Sequence, residues 1–382
     1  SNWLIKYEEL INFDKSFNVN TTLKKFNKYI KIHNSIINSD EYVSKNVIFA
    51  HTTNGYGNKI YAILTALVLG VLTESAVIIK WPGIEQFINT PLKNIFYDYP
   101  QTSQFNINYK NKSNNFYFQS DYEYSWKYKK NLDYLLNYDL KTNSNRIVIE
   151  KVDALFFPIC AKEKNFQKLH NYGLLSKERL KIAQNALYNE LELSDSDRIN
   201  DLYMVGFEVA GNLLNLVWKI QPNLQKEIDK IYHEEFYNYF VIGIQFRFEF
   251  LKKSDISKFI ECANFIEKKN NVKKVKWFVT SELDDIFEIL DQEFGNKIIS
   301  GKGRIGHIEY ESRNYARTIM DAELMSRSNE IIITGGSTFG FLSAIKKKIL
   351  PYFIEGKRWS IGPCKRATFN YGPLNPYGYS IV

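Results

Sequence analysis

The sequence predicts an α/β protein made of two Rossmann-like, doubly wound lobes with a cleft between them. Residues 46–81 combine a strand, a glycine turn, an apolar helix and a second strand, which is the βαβ pattern of a parallel sheet. Residues 239–354 alternate short apolar runs with helical segments, as doubly wound sheets do. The length of 382 residues exceeds what one hydrophobic core commonly serves, which favours two lobes.

The first lobe is predicted to span residues 1–230. A helix at 20–37 precedes the βαβ unit. Residues 101–145 are crowded with Asn, Ser, Tyr and Lys, which indicates surface loops and short strands. The other predicted elements of this lobe are strands or buried extended segments at 146–152 and 154–160, and helices at 201–220 and 222–236.

The second lobe is predicted to span residues 231–360. In such sheets ligands bind outside the carboxyl ends of the strands, so we expect the functional site in the loops that follow them. The predicted strands are 239–246, 275–280, 297–300, 330–335 and 349–354, and the predicted helices are 254–269, 283–294, 312–328 and 337–347.

The composition excludes several classes of protein. With 45% hydrophobic residues, 19 Gly and 9 Pro, the chain is neither collagen-like nor disordered. Its net charge of +8 suits an anionic ligand, a nucleic acid or an acidic lipid, and selects none of them. The longest apolar stretch, 60–72, is short for a membrane span, so we expect a soluble chain. The Ser1-Asn2 start leaves a removed leader or membrane anchor open.

The cysteines and histidines predict no metal centre. Cys160, Cys262 and Cys364 lie too far apart for a local metal-binding spacing, and the five histidines show no paired spacing. The cysteines allow at most one disulfide, so they leave the redox compartment open. The sequons at Asn20 and Asn111 permit a secretory location.

A glycine turn stands between the first strand and the apolar helix. Gly55 and Gly57 would let backbone approach a ligand, and the helix N-terminus offers unpaired N–H groups to an anion. The turn is not a dinucleotide fingerprint, because Ile60 occupies the third glycine position. A tight strand-to-helix turn without a ligand explains this segment equally well.

A second glycine turn, Gly335-Gly336-Ser337-Thr338, joins an apolar strand to a helix. Ser337 or Thr338 could cap the helix and also donate to a phosphate oxygen. Ordinary capping is the alternative, but capping alone does not require the close backbone approach that two glycines permit. The turn is not a P-loop, because no Gly-Lys-Ser/Thr follows it.

Two charged residues are further candidates. Arg247 ends an apolar strand, where a guanidinium can hold a phosphate through two parallel hydrogen bonds. It could instead pair with Glu249. Asp321, one helix before the second glycine turn, could accept both N–H groups of a guanine edge, or it could be an ordinary solvated helix residue.

Three segments, in order, resemble the plant xyloglucan-type fucosyltransferases and, more loosely, the superfamily of bacterial nodulation, core N-glycan and protein O-fucosyltransferases. Residues 55–79 are similar to the family's Gly-Leu-Gly-Asn-Arg segment with its following helix and strand. Residues 243–247, GIQFR, resemble its Gly-Ile-Gln-Ile-Arg motif. Residues 326–344 resemble its Leu-Ser … Val-Thr-Ser … Ser-Thr-Phe-Gly-Tyr segment.

The resemblance implies a GT-B fold and transfer of fucose, with inversion, from GDP-fucose to a glycan acceptor, with an α-1,2-type linkage. It implies no catalytic metal and no cofactor beyond the co-substrate GDP-fucose. It places residues 361–382 against the first lobe, and it implies the Golgi lumen if the source is eukaryotic. Lys59 stands where plant members have Arg, and the many cysteines of plant members are absent, so the acceptor stays open.

The resemblance also implies roles for individual residues. Arg247 matches the arginine that holds the β-phosphate, Asn58 the asparagine that faces the donor, and Asp321 an acidic position that contacts guanine. The segment around the donor phosphates and fucose is matched by Ser337, Thr338, Phe339 and Gly340. The catalytic base is open: the candidates are Glu249 and the group His307, Glu309 and Glu311.

Two other functions remain open. One is protein O-fucosylation, in which the acceptor is a Ser or Thr hydroxyl of a folded domain. The other is a non-catalytic protein that binds GDP or a glycan. We expect no nucleic-acid partner, because the positive charges are scattered and no recognised binding module is present. The sequence does not determine the oligomeric state.

Overall fold

The computed structural model describes residues 3, 7, 19–39, 47–51, 55–96, 115–119, 146–150, 154–188, 194–303, 315–354 and 364–369. These residues form two largely parallel sheets, each packed against helices, so the predicted α/β class with two doubly wound lobes is confirmed.

The first sheet has four parallel strands, in the order β2 (Ala76–Lys80), β1 (Val47–His51), β5 (Arg146–Glu150) and β4 (Asn115–Gln119). Strands with helices on their faces are apolar on both sides, as the runs VIFAH and AVIIK are. Strands β3 (Ile88–Asn89) and β6 (Lys219–Ile220) pair in a separate two-stranded antiparallel sheet. The elements of this half are α1 (Val19–Ile37), β1 (Val47–His51), α2 (Tyr56–Thr73), β2 (Ala76–Lys80), β3 (Ile88–Asn89), β4 (Asn115–Gln119), β5 (Arg146–Glu150), α3 (Phe156–Cys160), α4 (Glu163–Asn171), α5 (Lys177–Tyr188), α6 (Asp195–Val217), β6 (Lys219–Ile220) and α7 (Pro222–Ile231).

Helix α2 is the apolar helix that the sequence predicts after the first strand. By length and composition it could cross a membrane, and it is the one such helix among the described residues. Within the protein, however, 83% of it is buried. It therefore serves here as a core helix against the first sheet.

In the described part of the chain the second sheet has six strands, in the order β12 (Lys365–Arg366), β11 (Tyr352–Ile354), β10 (Glu330–Thr334), β7 (Phe240–Phe246), β8 (Val275–Ser281) and β9 (Ile298–Ser300). All of the pairs are parallel except that of β12 with β11. From β7 the chain continues to β8 and β9 on one side, and from the neighbouring strand β10 it continues to β11 and β12 on the other side. The boundary between β7 and β10 is therefore the topological switch point of the sheet, which is where ligands bind in such folds. The elements are β7 (Phe240–Phe246), α8 (Ile256–Asn270), β8 (Val275–Ser281), α9 (Asp285–Phe294), β9 (Ile298–Ser300), α10 (Tyr315–Arg327), β10 (Glu330–Thr334), α11 (Thr338–Lys347), β11 (Tyr352–Ile354) and β12 (Lys365–Arg366).

One hydrophobic core extends from the first sheet to one face of the second. It joins residues of α2 and α6 to residues of α10 and α11, including Phe207 and Phe341, whose rings lie 5.8 Å apart. Gly211 of α6 permits this contact, because a Cβ there would lie 2.5 Å from the carbonyl oxygen of Ile345. A separate core covers the other face of the second sheet, around Trp277 and Phe259.

The last described segment, 364–369, contacts both halves. Strand β12 pairs with β11, and the Phe369 ring lies 5.3 Å from that of Phe157. The Phe369 N–H donates to Asn200 Oδ1 at 2.8 Å. Cys364 forms a disulfide with Cys262 of α8. The boundaries predicted at residues 230 and 360, and the placement of 361–382 as a whole, stay predictions.

The prediction of a strand or buried extended segment at 154–160 is wrong. Residues Phe156–Cys160 form a short helix that packs on α6, where Gly206 lets the backbones approach: a Cβ there would lie 2.9 Å from the Cα of Phe157. A short apolar run has no periodicity that separates helix from strand. Pro158 argued against a strand, because it has no N–H for a ladder but fits the first turn of a helix. Helices α4 and α5 follow where the sequence predicts no element.

Candidate functional site

A cavity of about 330 Å³ opens at the switch point of the second sheet, facing the N-terminus of α2. Its wall combines the carboxyl ends of β7 and β8, the first turn of α11, and one face of α10. Nine of the site residues predicted from the sequence contribute to this wall. They are Gly55, Gly57, Asn58, Arg247, Glu249, Asp321, Ser337, Thr338 and Phe339. Their individual roles stay predictions.

Arg247 leaves the end of β7 with its backbone fixed to the neighbouring strand. Its N–H donates to Thr334 Oγ1 at 2.9 Å, and the Thr334 hydroxyl donates to the carbonyl oxygen of Gln245 at 2.9 Å. The guanidinium lines the cavity and donates from Nη2 to Glu249 Oε2 at 2.6 Å. Arg247 therefore forms the ion pair with Glu249 that the sequence left open, and both residues line the cavity.

Two carboxylates surround that guanidinium. Glu249 is 59% exposed, so its pair with Arg247 is open to water and to exchange with a ligand. Glu282 lies 4.0 Å from Nη1 of Arg247, and its Oε1 accepts the N–H of Phe248 at 2.7 Å. Glu282 shapes the loop that carries Arg247. The sequence analysis missed it, although it directly follows strand β8 at the carboxyl edge of the sheet.

Helix α11 presents its first turn to the cavity. Gly336, at φ +86°, makes the turn that a side chain would strain. Ser337 is the N-cap residue, yet its side chain makes no capping hydrogen bond. The capping alternative is thus not realised, and the hydroxyl of this residue in the cavity wall is available to a ligand together with the N–H groups of the first turn.

The N-terminus of α2 meets that of α11 across the cleft. A Cβ on Gly57 would lie 2.5 Å from Thr338 Oγ1 and 2.7 Å from the backbone nitrogen of Phe339. Gly57 is therefore required by the contact between the two halves, whereas the sequence attributed it to ligand approach. Two helix N-termini, each with partial positive charge, face one cavity.

Asp321 lies at the β8 side of the cavity. It is buried, and it accepts hydrogen bonds from Arg317 Nε at 2.7 Å and from Thr280 Oγ1 at 3.0 Å. Burial raises the pKa of this carboxyl, and the nearby Arg317 opposes that effect. Asp321 is not the solvated helix residue that the sequence left as an alternative.

Gly340 lies outside the cavity wall. A Cβ on it would lie 2.7 Å from Ile333 Cγ2 and 2.8 Å from Gln245 Oε1, so it allows α11 to pack on the strands beneath. The base candidates His307, Glu309 and Glu311 fall outside the described residues. Within the described part of the chain, no group of three or more His, Cys, Asp or Glu side chains could hold a metal ion.

No protein-family model matches the chain, and neither does any curated protein. Solved structures do match. A point mutant of Arabidopsis thaliana FUT1 in complex with GDP aligns with 90% of this chain and 82% of its own, with a TM-score of 0.57 and 13% identity. The NodZ α-1,6-fucosyltransferase soaked with GDP-fucose aligns with 85% of this chain and 99% of its own, with a TM-score of 0.53 and 14% identity. NodZ from Bradyrhizobium aligns with 82% of this chain and 95% of its own, with a TM-score of 0.51 and 15% identity. At these identities the similarity concerns the fold, and it confirms the predicted GT-B architecture.

Proposed function

We propose that the protein is an inverting glycosyltransferase that transfers fucose from GDP-fucose to a glycan, with an α-1,2-type linkage. One observation carries the proposal: Arg247 and the first turn of α11 line a single cavity at the switch point of a doubly wound sheet. A guanidinium and a helix N-terminus together suit a diphosphate. Two proteins of the same fold support that choice, one solved in complex with GDP and the other soaked with GDP-fucose.

The cleft would stabilise the departing diphosphate. When the C1–O bond of fucose breaks, negative charge develops on the β-phosphate. Arg247 can exchange its exposed partner Glu249 for that phosphate, because the pair lies at the cavity surface. The N–H groups at the start of α11 and the partial charge of α2 would add to it. Preorganised donors of this kind act where the charge of the transition state appears.

Glu249 is the proposed base. Once Arg247 turns to the diphosphate, the carboxylate beside it is free to take the proton from the acceptor hydroxyl as that oxygen bonds to C1. The products are then GDP, the fucosylated acceptor and a protonated Glu249, which returns its proton to water. Because attack and departure occur on opposite faces of the sugar, the configuration at C1 inverts.

The test is transfer from GDP-fucose to a panel of oligosaccharides, with product linkage read by mass spectrometry and NMR. We expect Arg247→Ala to lower kcat/KM about 100-fold or more. Arg327→Ala is the matched control, since that side chain is also 24% exposed and paired with carboxylates, but it does not line the cavity. It should keep nearly full activity.

Other outcomes would redirect the proposal. Transfer only to Ser or Thr of a folded domain would identify protein O-fucosylation. GDP binding without transfer to any acceptor would identify a non-catalytic binding protein. Equal losses in the two arginine variants would contradict the role of Arg247.

The disulfide supports an oxidising compartment, for which we propose the secretory pathway and, in a eukaryotic source, the Golgi lumen. Cys262 and Cys364 are bonded across 102 residues, whereas the third cysteine, Cys160, is buried and unpaired. Stable disulfides are rare where glutathione keeps thiols reduced. Mass spectrometry of the protein from its native source, alkylated before and after reduction, tests the bond.

A further inference from the structure

Arg317 carries a donor that no described residue satisfies. Its side chain lines the cavity and the residue is only 6% exposed. Nε donates to Asp321 Oδ1 at 2.7 Å, and Nη1 donates to the carbonyl oxygen of Gly303 at 3.0 Å. Nη2 is buried and has no hydrogen-bond partner among the described residues. A buried N–H without an acceptor is costly and rare, so it points to a ligand atom that completes the set.

The guanidinium is held in one orientation. The Asp321 carboxylate that pairs with it is itself fixed by Thr280. Gly301 closes the other side, since a Cβ there would lie 2.1 Å from Asp321 Oδ1 and 2.8 Å from Arg317 Nε. The Phe287 ring lies 5.9 Å from the guanidinium carbon. With two of its three nitrogens bound to protein, the group can aim only the third at a ligand.

The sheet order would place this donor at the β8 end of the cavity, away from the position proposed for the diphosphate. The first turn of α11 follows β10, and Arg317 is tied through Asp321 to Thr280 on β8. In the sheet order β10-β7-β8, those positions are two strand spacings apart, or about 10 Å. A nucleoside diphosphate anchored by its phosphates at β10 and β7 would place its base near β8.

We propose that Arg317 selects guanine by donating from Nη2 to the O6 atom of the base, an inference that rests on the proposed function. Guanine presents acceptors at O6 and N7, where adenine presents an amino group that would oppose the N–H. Asp321 then acts as a positioning residue, because each of its oxygens already accepts a hydrogen bond from Arg317 or Thr280.

The experiment compares three nucleotides by isothermal titration calorimetry. GDP is the reference, 6-thio-GDP replaces only O6 with a poorer acceptor, and IDP keeps O6 but lacks the 2-amino group. Wild type should bind GDP about tenfold more tightly than 6-thio-GDP. Arg317→Lys keeps a cation beside Asp321 but has no second nitrogen in a rigid plane, so the ratio of GDP to 6-thio-GDP affinity should fall towards one. Its ratio of GDP to IDP affinity should match that of wild type.

The possible results separate the two proposals. Arg247→Ala should weaken GDP and 6-thio-GDP by the same factor, since it acts on the phosphate. A wild type that binds GDP and 6-thio-GDP equally, or an Arg317→Lys variant with the wild-type ratio, overturns the role of Arg317 while GDP binding still supports the proposed function. A wild type that binds none of the three nucleotides overturns the proposed function itself. If Arg317→Lys does not fold, the wild-type ratio alone decides.

Discussion

Replacement of Gly57 by alanine probes how closely the two halves must approach. The new Cβ would lie 2.5 Å from Thr338 Oγ1 and 2.7 Å from both the carbonyl carbon of Thr338 and the nitrogen of Phe339. Backbone atoms cannot rotate away as a side chain can, so the helix ends must separate by about 1 Å to restore ordinary contact. Overpacking of this kind costs about 1–3 kcal/mol of folding free energy.

The displacement should harm activity more than stability. A shift of about 1 Å at a reacting centre can lower the rate about 100-fold. We therefore expect Gly57→Ala to stay folded, to lose several degrees of Tm, and to lose about 100-fold in kcat/KM for fucosyl transfer. Differential scanning fluorimetry and steady-state kinetics measure the two effects.

Gly206→Ala is the control for the stability effect. Its Cβ would lie 2.9 Å from the Phe157 Cα, a comparable backbone clash in the first half of the chain and outside the cavity wall. It should lower Tm but leave kcat/KM of the folded enzyme near that of wild type. If Gly57→Ala transfers fucose as fast as Gly206→Ala, the close approach of the two helix ends does not set the geometry of the site.

Glu249→Gln should lower kcat about 100-fold or more through loss of the base, whereas GDP should bind at least as tightly because Arg247 no longer has a competing carboxylate. Kinetics and calorimetry on one preparation measure the two effects. Weaker GDP binding would contradict the proposal that Arg247 exchanges Glu249 for the phosphate. Burial lowers the pKa of His33 to about 4, and its Nδ1 accepts the Val77 N–H, so only the unfolded chain takes up a proton as the pH falls below 6.5. The free energy of unfolding should therefore decline between pH 6.5 and 4, by up to about 1.4 kcal/mol per unit, and urea titrations of His33→Gln should show a smaller slope. Cys262→Ser should lower stability by about 2–4 kcal/mol, and dithiothreitol should destabilise wild type but not this variant; an effect on both would mean that the bond to Cys364 is not what the reductant acts on.

The sequence was most informative where short hydrophobic runs alternate with polar turns and helical segments. The strands of the second sheet and the βαβ unit around α2 agree with the prediction because parallel strands, buried on both faces, read as continuous apolar runs. Their carboxyl ends also locate the cleft, which is why the sequence alone could place Arg247 and Ser337 in one site. The β4 region and helices α4 and α5 lack that contrast between strand and turn.

The sequence could not show which residues are constrained by close packing against distant parts of the chain. Gly57 and Gly55 look alike in the sequence, yet Gly57 meets Thr338 from the other half of the chain. Arg317 resembles any polar residue of a helix until Asp321, four residues later, proves to be buried with it. Such roles depend on packing between segments more than 200 residues apart or on burial, and neither has a local signature.

The hydrophobic core that continues beneath the cleft has a thermodynamic consequence. Helices α10 and α11 share one cluster of buried side chains with α2 and α6. If either half unfolded alone, the other half would expose the apolar surface that it now buries. Heating should give a single calorimetric peak, and a nucleotide held in the groove should shift that whole peak upward, even though it touches only the rim of each sheet.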